Sequence, residues 1–405
     1  MLLTLTRRSG RASGWAEDPR PASSPETVVN LAAICALPKL NPGMLSVDAA
    51  LAAVLERNDI RANVHYFSLR PGHVSNAGSS RFGARTYAAL ADSPDFDAFD
   101  AILIWGDFLH AAAFHDDMVR HVQRAAPELA APHIKDRIYR NLLLEGASEA
   151  TLRKTICYGG SIYLNDARDD WDERYRSAVG RLYSTARLVL KRDPLSAAFA
   201  QQYGAPGPAL AVDAAFLLDR MDDAGKEHPG MVGYSFGRGV GASRLATLQA
   251  RWFVHLCQRQ ARLPKAVDLK WLERDPDRPM ASLEAKLELI RRCAFVVTDT
   301  YHCAINAWRE GVPAVCIGYG TEAPKDPLSE KKKELLYSML NARQFYVFAE
   351  NLTASAAFGE ARRIVSLLGD GSLAAAVRKN IAVATARSER LLVDALRAGP
   401  VPSGS

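Results

Sequence analysis

From Val28 onward, short apolar runs of strand length alternate with longer stretches of helical spacing. Few folds accommodate a β-then-α alternation kept up for so long. The first series reads as strands at 29–36, 63–67, 100–105, 154–158, 186–190 and 208–212. Helical segments at 44–57, 116–126, 171–183 and 194–203 lie between them. The last of these is well punctuated: Asp193 is the N-cap, Pro194 the first helical residue, and Gly204 marks the stop.

A second series follows a charged stretch with Pro and two glycines at 219–230, which reads as a linker. Its strands are expected at 231–236, 266–269, 295–298, 314–317 and 345–348. Its helices are expected at 243–262, 282–292, 301–310 and 329–340, and two more at 353–368 and 373–398 close the chain. Strict alternation implies parallel sheets covered on both faces. The expected fold is therefore α/β, with two Rossmann-like domains at 28–220 and 230–398 facing a cleft. Residues 1–27 read as a disordered leader and 399–405 as a tail. Ligands of such sheets bind beyond the carboxyl ends of the strands.

Composition narrows the class. Apolar residues make up 48% of the 405 and charged residues 24%, an ordinary globular balance that excludes long disorder. No apolar run reaches the ~18 residues of a spanning helix, and the ends lack a secretory signal, so a cytoplasmic protein is expected. The net charge of +6 is small for this length. It suits an anionic substrate or peripheral contact with a membrane surface, and nucleic acid is not expected. Six cysteines without a CxxC pair read as buried reduced thiols, and no metal site is expected.

The strongest local cluster is Val296–Pro313. A buried strand ends at Thr298, and a helix starts near Tyr301 and stops at Gly311. His302 therefore sits on a first helical turn at a strand's carboxyl end. There the dipole favours anions and an imidazole can move protons. A capping or packing histidine is the competing reading, and Asp299 reads as an N-cap.

This cluster resembles the polysaccharide pyruvyl transferase family, which carries a His at a helix start followed by Gly-x-Pro. Three further motifs agree in order. Asn41-Pro-Gly43-Met44 is similar to the family's Asn-x-Gly-Asp. Lys191-Arg192-Asp193-Pro-Leu-Ser196 is similar to its Arg-Asp-x-x-Ser. Val212-Asp213-Ala-Ala-Phe216 is similar to its Asp-x-x-Phe. The chain departs from the family at Thr300, where an Arg is usual, and at Trp105-Gly106-Asp107, where a glycine-rich turn is usual.

The resemblance implies a GT-B-like fold and transfer of a pyruvyl group from phosphoenolpyruvate to a sugar or lipid-linked glycan, without a cofactor. It implies His302 as acid/base, with Arg192, Tyr301, Asn41, Gly43, Gly106 and Asp107 at the substrate. Read from chemistry, Arg192 could hold a carboxylate or phosphate, or pair with Asp193 at the surface. Asp213 could position a loop or act as a base. Gly237-Arg238-Gly239 could offer backbone amides to a phosphate, and Asp268 ends the next strand where a ribose-binding acid would stand. Lys325 is a further candidate, whereas Lys331-Lys332-Lys333 reads as a solvated face. The charged stretch at 166–174 reads as a solvated helix start. A nucleotide-sugar glycosyltransferase and a non-catalytic family member remain open alternatives.

Overall fold

The structure, a computed structural model, describes residues 28–35, 41–68, 74–90, 95–106, 108–162, 172–207, 210–220, 230–238, 243–320 and 327–398. The expected leader and tail, Asp107, Gly239, Lys325, residues 166–171 and the linker at 221–229 lie outside the described residues.

The first half contains β1 (Val29–Cys35), α1 (Pro42–Arg57), β2 (Ala62–Ser68), β3 (Val74–Asn76), β4 (Arg85–Ala89) and β5 (Ala101–Trp105). It continues through α2 (Ala112–Ala125), α3 (Ala131–Leu142), α4 (Glu149–Arg153), β6 (Thr155–Tyr158), α5 (Glu173–Thr185), β7 (Leu188–Leu190) and α6 (Pro194–Gln202). Its seven strands form one sheet in the order β3-β4-β2-β1-β5-β6-β7. All neighbours are parallel except β3, which runs antiparallel to β4.

The second half contains β8 (Met231–Ser235), α7 (Arg244–Gln260), β9 (Lys265–Asp268), α8 (Pro279–Arg291), β10 (Cys293–Thr298) and α9 (Tyr301–Arg309). It ends with β11 (Ala314–Gly318), α10 (Pro327–Met339), β12 (Tyr346–Phe348), α11 (Ala356–Asp370) and α12 (Ser372–Arg397). Its five strands are parallel throughout, in the order β12-β11-β10-β8-β9.

The burial pattern explains the sheets. Along β1, Leu31, Ala33 and Cys35 face one core while Ala32 and Ile34 face another, so the strand is apolar on both sides. The first of these cores also holds Leu51 and Val54 of α1, Val232 and Val296 of the second sheet, and Leu392 and Leu396 of α12. One apolar core thus runs through both halves, in a GT-B-like arrangement. All six cysteines are free and buried. Among the described residues, no helix is long and apolar enough to cross a membrane.

The expected strand at 208–212 does not form among its described residues, 210–212. One bridge occurs there, between Leu210 and Lys191. Beyond it the Val212 amide donates to Ser388 Oγ of α12 (3.1 Å), and Asp213 starts a 3-10 turn at Ala214–Leu217. A hydrogen bond to α12 and a cap thus take the place of a sheet ladder.

The same helix ties the halves together. Glu389 accepts 2.9 Å hydrogen bonds from Nε and Nη2 of Arg57, and Arg57 also pairs with Asp219. Arg187 donates to the Ala395 carbonyl (3.0 Å), and Arg397 to the Asn58 carbonyl (2.6 Å). At the start of the linker, the Asp219 carbonyl accepts from Arg81 and from Arg309, each at 3.0 Å.

Candidate active site

Helix α1 begins where β1 ends, and α9 begins where β10 ends. These two helix starts meet. Asn41 caps α1, its Oδ1 accepting from the amides of Gly43 (2.8 Å) and Met44 (3.3 Å). Gly43 packs directly on His302, the second residue of α9. A Cβ on Gly43 would stand 2.6 Å from the His302 Cβ and 2.7 Å from its Nδ1. Nearby, Ser46 Oγ donates to the Gly43 carbonyl (2.7 Å), and Asn306 Nδ2 donates to Ser46 Oγ (3.1 Å) and to the His302 carbonyl (2.8 Å). A short polar ladder therefore locks the two helix starts in register.

On the other edge of the ring, His302 Nε2 lies 3.7 Å from Asp213 Oδ2. The Asp213 side chain is 2% exposed, and Arg192 Nη1 donates to the same oxygen at 2.7 Å. Its Oδ1 accepts from the Ala215 amide (3.0 Å). Burial alone would raise this carboxyl, but His302 and Arg192 more than offset that and hold it well below the usual carboxylate range. Arg192 is buried as well, and its Nε donates to Ser161 Oγ (2.9 Å), which donates in turn to Asp193 Oδ2 (2.8 Å). Asp193 also receives the amide and hydroxyl of Ser196, both at 2.7 Å. The surface pairing of Arg192 with Asp193 is therefore replaced by a buried one with Asp213.

Aromatic rings complete the cluster. The Arg192 guanidinium carbon lies 4.8 Å from the Phe108 ring centroid and 5.1 Å from that of Tyr301. Tyr301 meets the His302 ring edge-on, with centroids 5.1 Å apart. Lys332 Nζ, from α10, is 5.3 Å from both the Phe108 and the Tyr301 centroids.

Gly106 and the Gly159-Gly160 pair hold positive φ angles of 71°, 71° and 73° at the ends of β5 and β6. A Cβ on Gly159 would stand 3.3 Å from the Gly106 Cα, so this turn is packed backbone on backbone. Sequence reasoning missed Gly159-Gly160-Ser161. The signal was present as a glycine pair directly after a buried strand.

Directly behind Arg192, Lys191 is 2% exposed. Its Nζ lies 3.4 Å from His110 Nδ1 and 4.7 Å from the centre of the Tyr183 ring. Burial brings Lys191 down to about 8 and pushes His110 well below the ordinary histidine range.

In the glycine turn after β8, the described amides are engaged within the protein. The Gly237 amide donates to both Asp299 oxygens (3.1 and 3.3 Å), and the Arg238 amide donates to Oδ2 (3.0 Å). The two amides offered to a phosphate are thus met by a carboxylate of the protein itself, and Asp299 tethers the turn. Thr300 Oγ1 donates to the same carboxylate (3.1 Å). Asp268 caps its own turn by accepting from the Lys270 amide (2.9 Å). The expected solvated lysine face is divided. Lys331 pairs with Glu334 (3.4 Å), Lys332 lies over the two rings, and Lys333 is buried on Glu330 (2.7 Å). Arg174, at the end of the stretch at 166–174, pairs with Asp136 and Glu145, both at 2.5 Å. No cluster of three or more metal-ligating side chains occurs among the described residues.

The family model for polysaccharide pyruvyl transferase matches residues 49–321, well over half of the chain. The chain belongs to the polysaccharide pyruvyl transferase family. Comparison with curated protein sequences gave no match. Among solved structures, the chain is similar to S. aureus MnaA with UDP at 10% identity, covering 91% of this chain and 96% of that one with a TM-score of 0.47. It is similar to the glycosyltransferase SnogD from Streptomyces nogalater at 14% identity, with 91% and 100% covered and a TM-score of 0.43. Anabaena HepE with UDP and glucose gives 13%, 91%, 100% and 0.38. None of the three bears on the substrate of this family member.

Proposed function

We propose that this family member transfers a pyruvyl group from phosphoenolpyruvate to two hydroxyls of one sugar, in a cell-surface polysaccharide or its precursor. The observation that carries the reading is the run His302–Asp213–Arg192. A histidine at a helix start faces a buried, ionised carboxylate at 3.7 Å, and that carboxylate is held by a buried guanidinium. Asp213 Oδ2 faces Nε2 of His302, which orients the ring to give up a proton and take one back.

The atoms balance with this one acid/base. The imidazolium protonates the methylene carbon of the enol phosphate, making a methyl group and an oxocarbenium-like centre. The first sugar hydroxyl attacks that centre and its proton returns to His302. The second hydroxyl then displaces phosphate, which carries away the second proton. The reaction needs water kept from the cationic centre, a task that suits a site where the two halves meet. The dipole of α9 and the Arg192 charge favour the anionic donor beside the ring.

Two measurements test this. Phosphoenolpyruvate should raise the melting temperature of the wild-type chain. His302→Ala should keep its fold and lose at least 100-fold in phosphate release with a glycan acceptor. Stabilisation by UDP-sugars with no response to phosphoenolpyruvate would overturn the reading.

A further inference from the structure

Helix α7 has two faces of different character. Its inner face, with Ala250, Phe253, Val254 and Cys257, is buried in the core. Its outer face leaves Leu245 67%, Leu248 64% and Trp252 48% exposed. The described residues leave eight large apolar side chains exposed, and three of them stand here within eight positions. Single exposed leucines are ordinary, but a cluster rimmed by polar side chains marks an interaction surface.

Charge decides what that surface meets. The helix carries Arg244, Arg251 and Arg259, and it has no Asp or Glu from Arg244 to Gln260. All three arginines are exposed, and none has a carboxylate partner among the described residues. At about 100° per residue, the three arginines and the three apolar residues fall within an arc of about 120°. Helix α11 packs on α7, and its Glu360 is already paired with Arg363. A second copy of this chain on the same face would set arginine against arginine. Residues 1–27 hold four arginines against three carboxylates, so they bring no excess negative charge to it. An anionic bilayer satisfies the whole pattern: leucine and indole enter the interface, and guanidiniums meet headgroup phosphates.

We infer that the outer face of α7 is a docking surface for a membrane bearing anionic lipids. β8 and β10 are parallel neighbours, so α7 and α9 start at the same edge of the second sheet. The docking face therefore begins at the edge that carries His302, which suits an acceptor carried on a lipid. The inference is independent of the phosphoenolpyruvate donor.

The test is sedimentation of the full chain with phosphatidylcholine vesicles, with and without about one-third phosphatidylglycerol. The variants are Leu248→Gln with Trp252→Gln, and Arg244→Gln with Arg251→Gln and Arg259→Gln. Val383→Gln, at a position 64% exposed on α12, is the control. Each is first shown to melt near the wild-type temperature. The wild type should bind the anionic vesicles at least tenfold more tightly than the neutral ones. Both α7 variants should lose at least tenfold, while Val383→Gln stays within about twofold. Failure of the wild type to bind anionic vesicles overturns the inference, and so does undiminished binding by both α7 variants. Self-association that the α7 variants abolish, without vesicle binding, would assign the face to a second copy instead. None of these outcomes touches the donor reading.

Discussion

Gly43 lies under the ring of His302 so closely that a methyl group there would stand 2.6 Å from the His302 Cβ. The contact joins the start of one helix in the first half to the start of another in the second. It also explains why a residue with poor helix propensity stands in the first turn of α1. An alanine would improve the helix by up to about 1 kcal/mol, but it would also have to push the imidazole or the helix aside.

Overpacking of this kind costs about 1–3 kcal/mol, so Gly43→Ala is expected to destabilise the protein despite its better propensity. Activity should fall at least 100-fold, because the displaced ring leaves Asp213. Gly359, on α11, is the control: a Cβ there meets nothing within 4 Å. Gly359→Ala should gain about 0.5–1 kcal/mol. Urea unfolding of both variants checks the pair, and a stabilised, fully active Gly43→Ala would contradict the packing argument.

Asp213 should govern the acid limb of stability. Its carboxyl titrates well below the ordinary value in the fold, so the unfolded chain takes up the proton first as pH falls. The stabilisation is complete above about pH 4 and is lost as pH drops from there through the folded-state value. Asp213→Asn should cost about 3–5 kcal/mol at neutral pH, because Arg192 is left buried without its carboxylate. Its stability should then fall less steeply than the wild type's below pH 4, as measured by denaturant midpoints across pH. Parallel curves would refute this.

Lys191 should act in the opposite sense. Burial lowers it to about 8, so at pH 7 the fold carries a charged ammonium at a cost of about 3 kcal/mol. As pH rises from about 8 towards 10, the folded chain releases its proton before the unfolded one does, and the cost shrinks. Lys191→Met is expected to be more stable than the wild type at pH 7, with the gain fading by pH 10. A variant less stable at pH 7 would show that the contacts with His110 and Tyr183 outweigh desolvation.

The parallel sheets were legible because strands such as β1 and β10 are apolar on both faces, and few folds satisfy such strands. The Asp193-Pro194 start of α6 was legible because its cap is local. The hairpin of β3 and β4 was not, since Arg85–Ala89 has no continuous apolar run and pairs at a sheet edge. Helix α3 could have been found from Ile134, Ile138 and Leu142, each four residues after the last. In the site, the motifs named His302, Arg192 and Asp213. The partner of each depended on distant segments: Asp213 reaches His302 across 89 positions of sequence (302 − 213). The lysine run was read as one face although successive helical residues point about 100° apart, so three in a row cannot share one environment on a packed helix. The glycine turn at 237–238 looked open because its counter-charge, Asp299, lies on another strand's end.

Helix α12 gives the molecule a further attachment between its lobes. The chain leaves the first half once, after Arg220, and returns along α12 to Asn58, Arg187 and Val212. Together with the apolar core shared by the halves and the seat of His302 on Gly43, this return joins the halves at several places besides the single crossing of the chain. A protease cut within 221–229 would therefore leave a nicked but still paired molecule, with His302 and Asp213 on separate chains held face to face by the last helix.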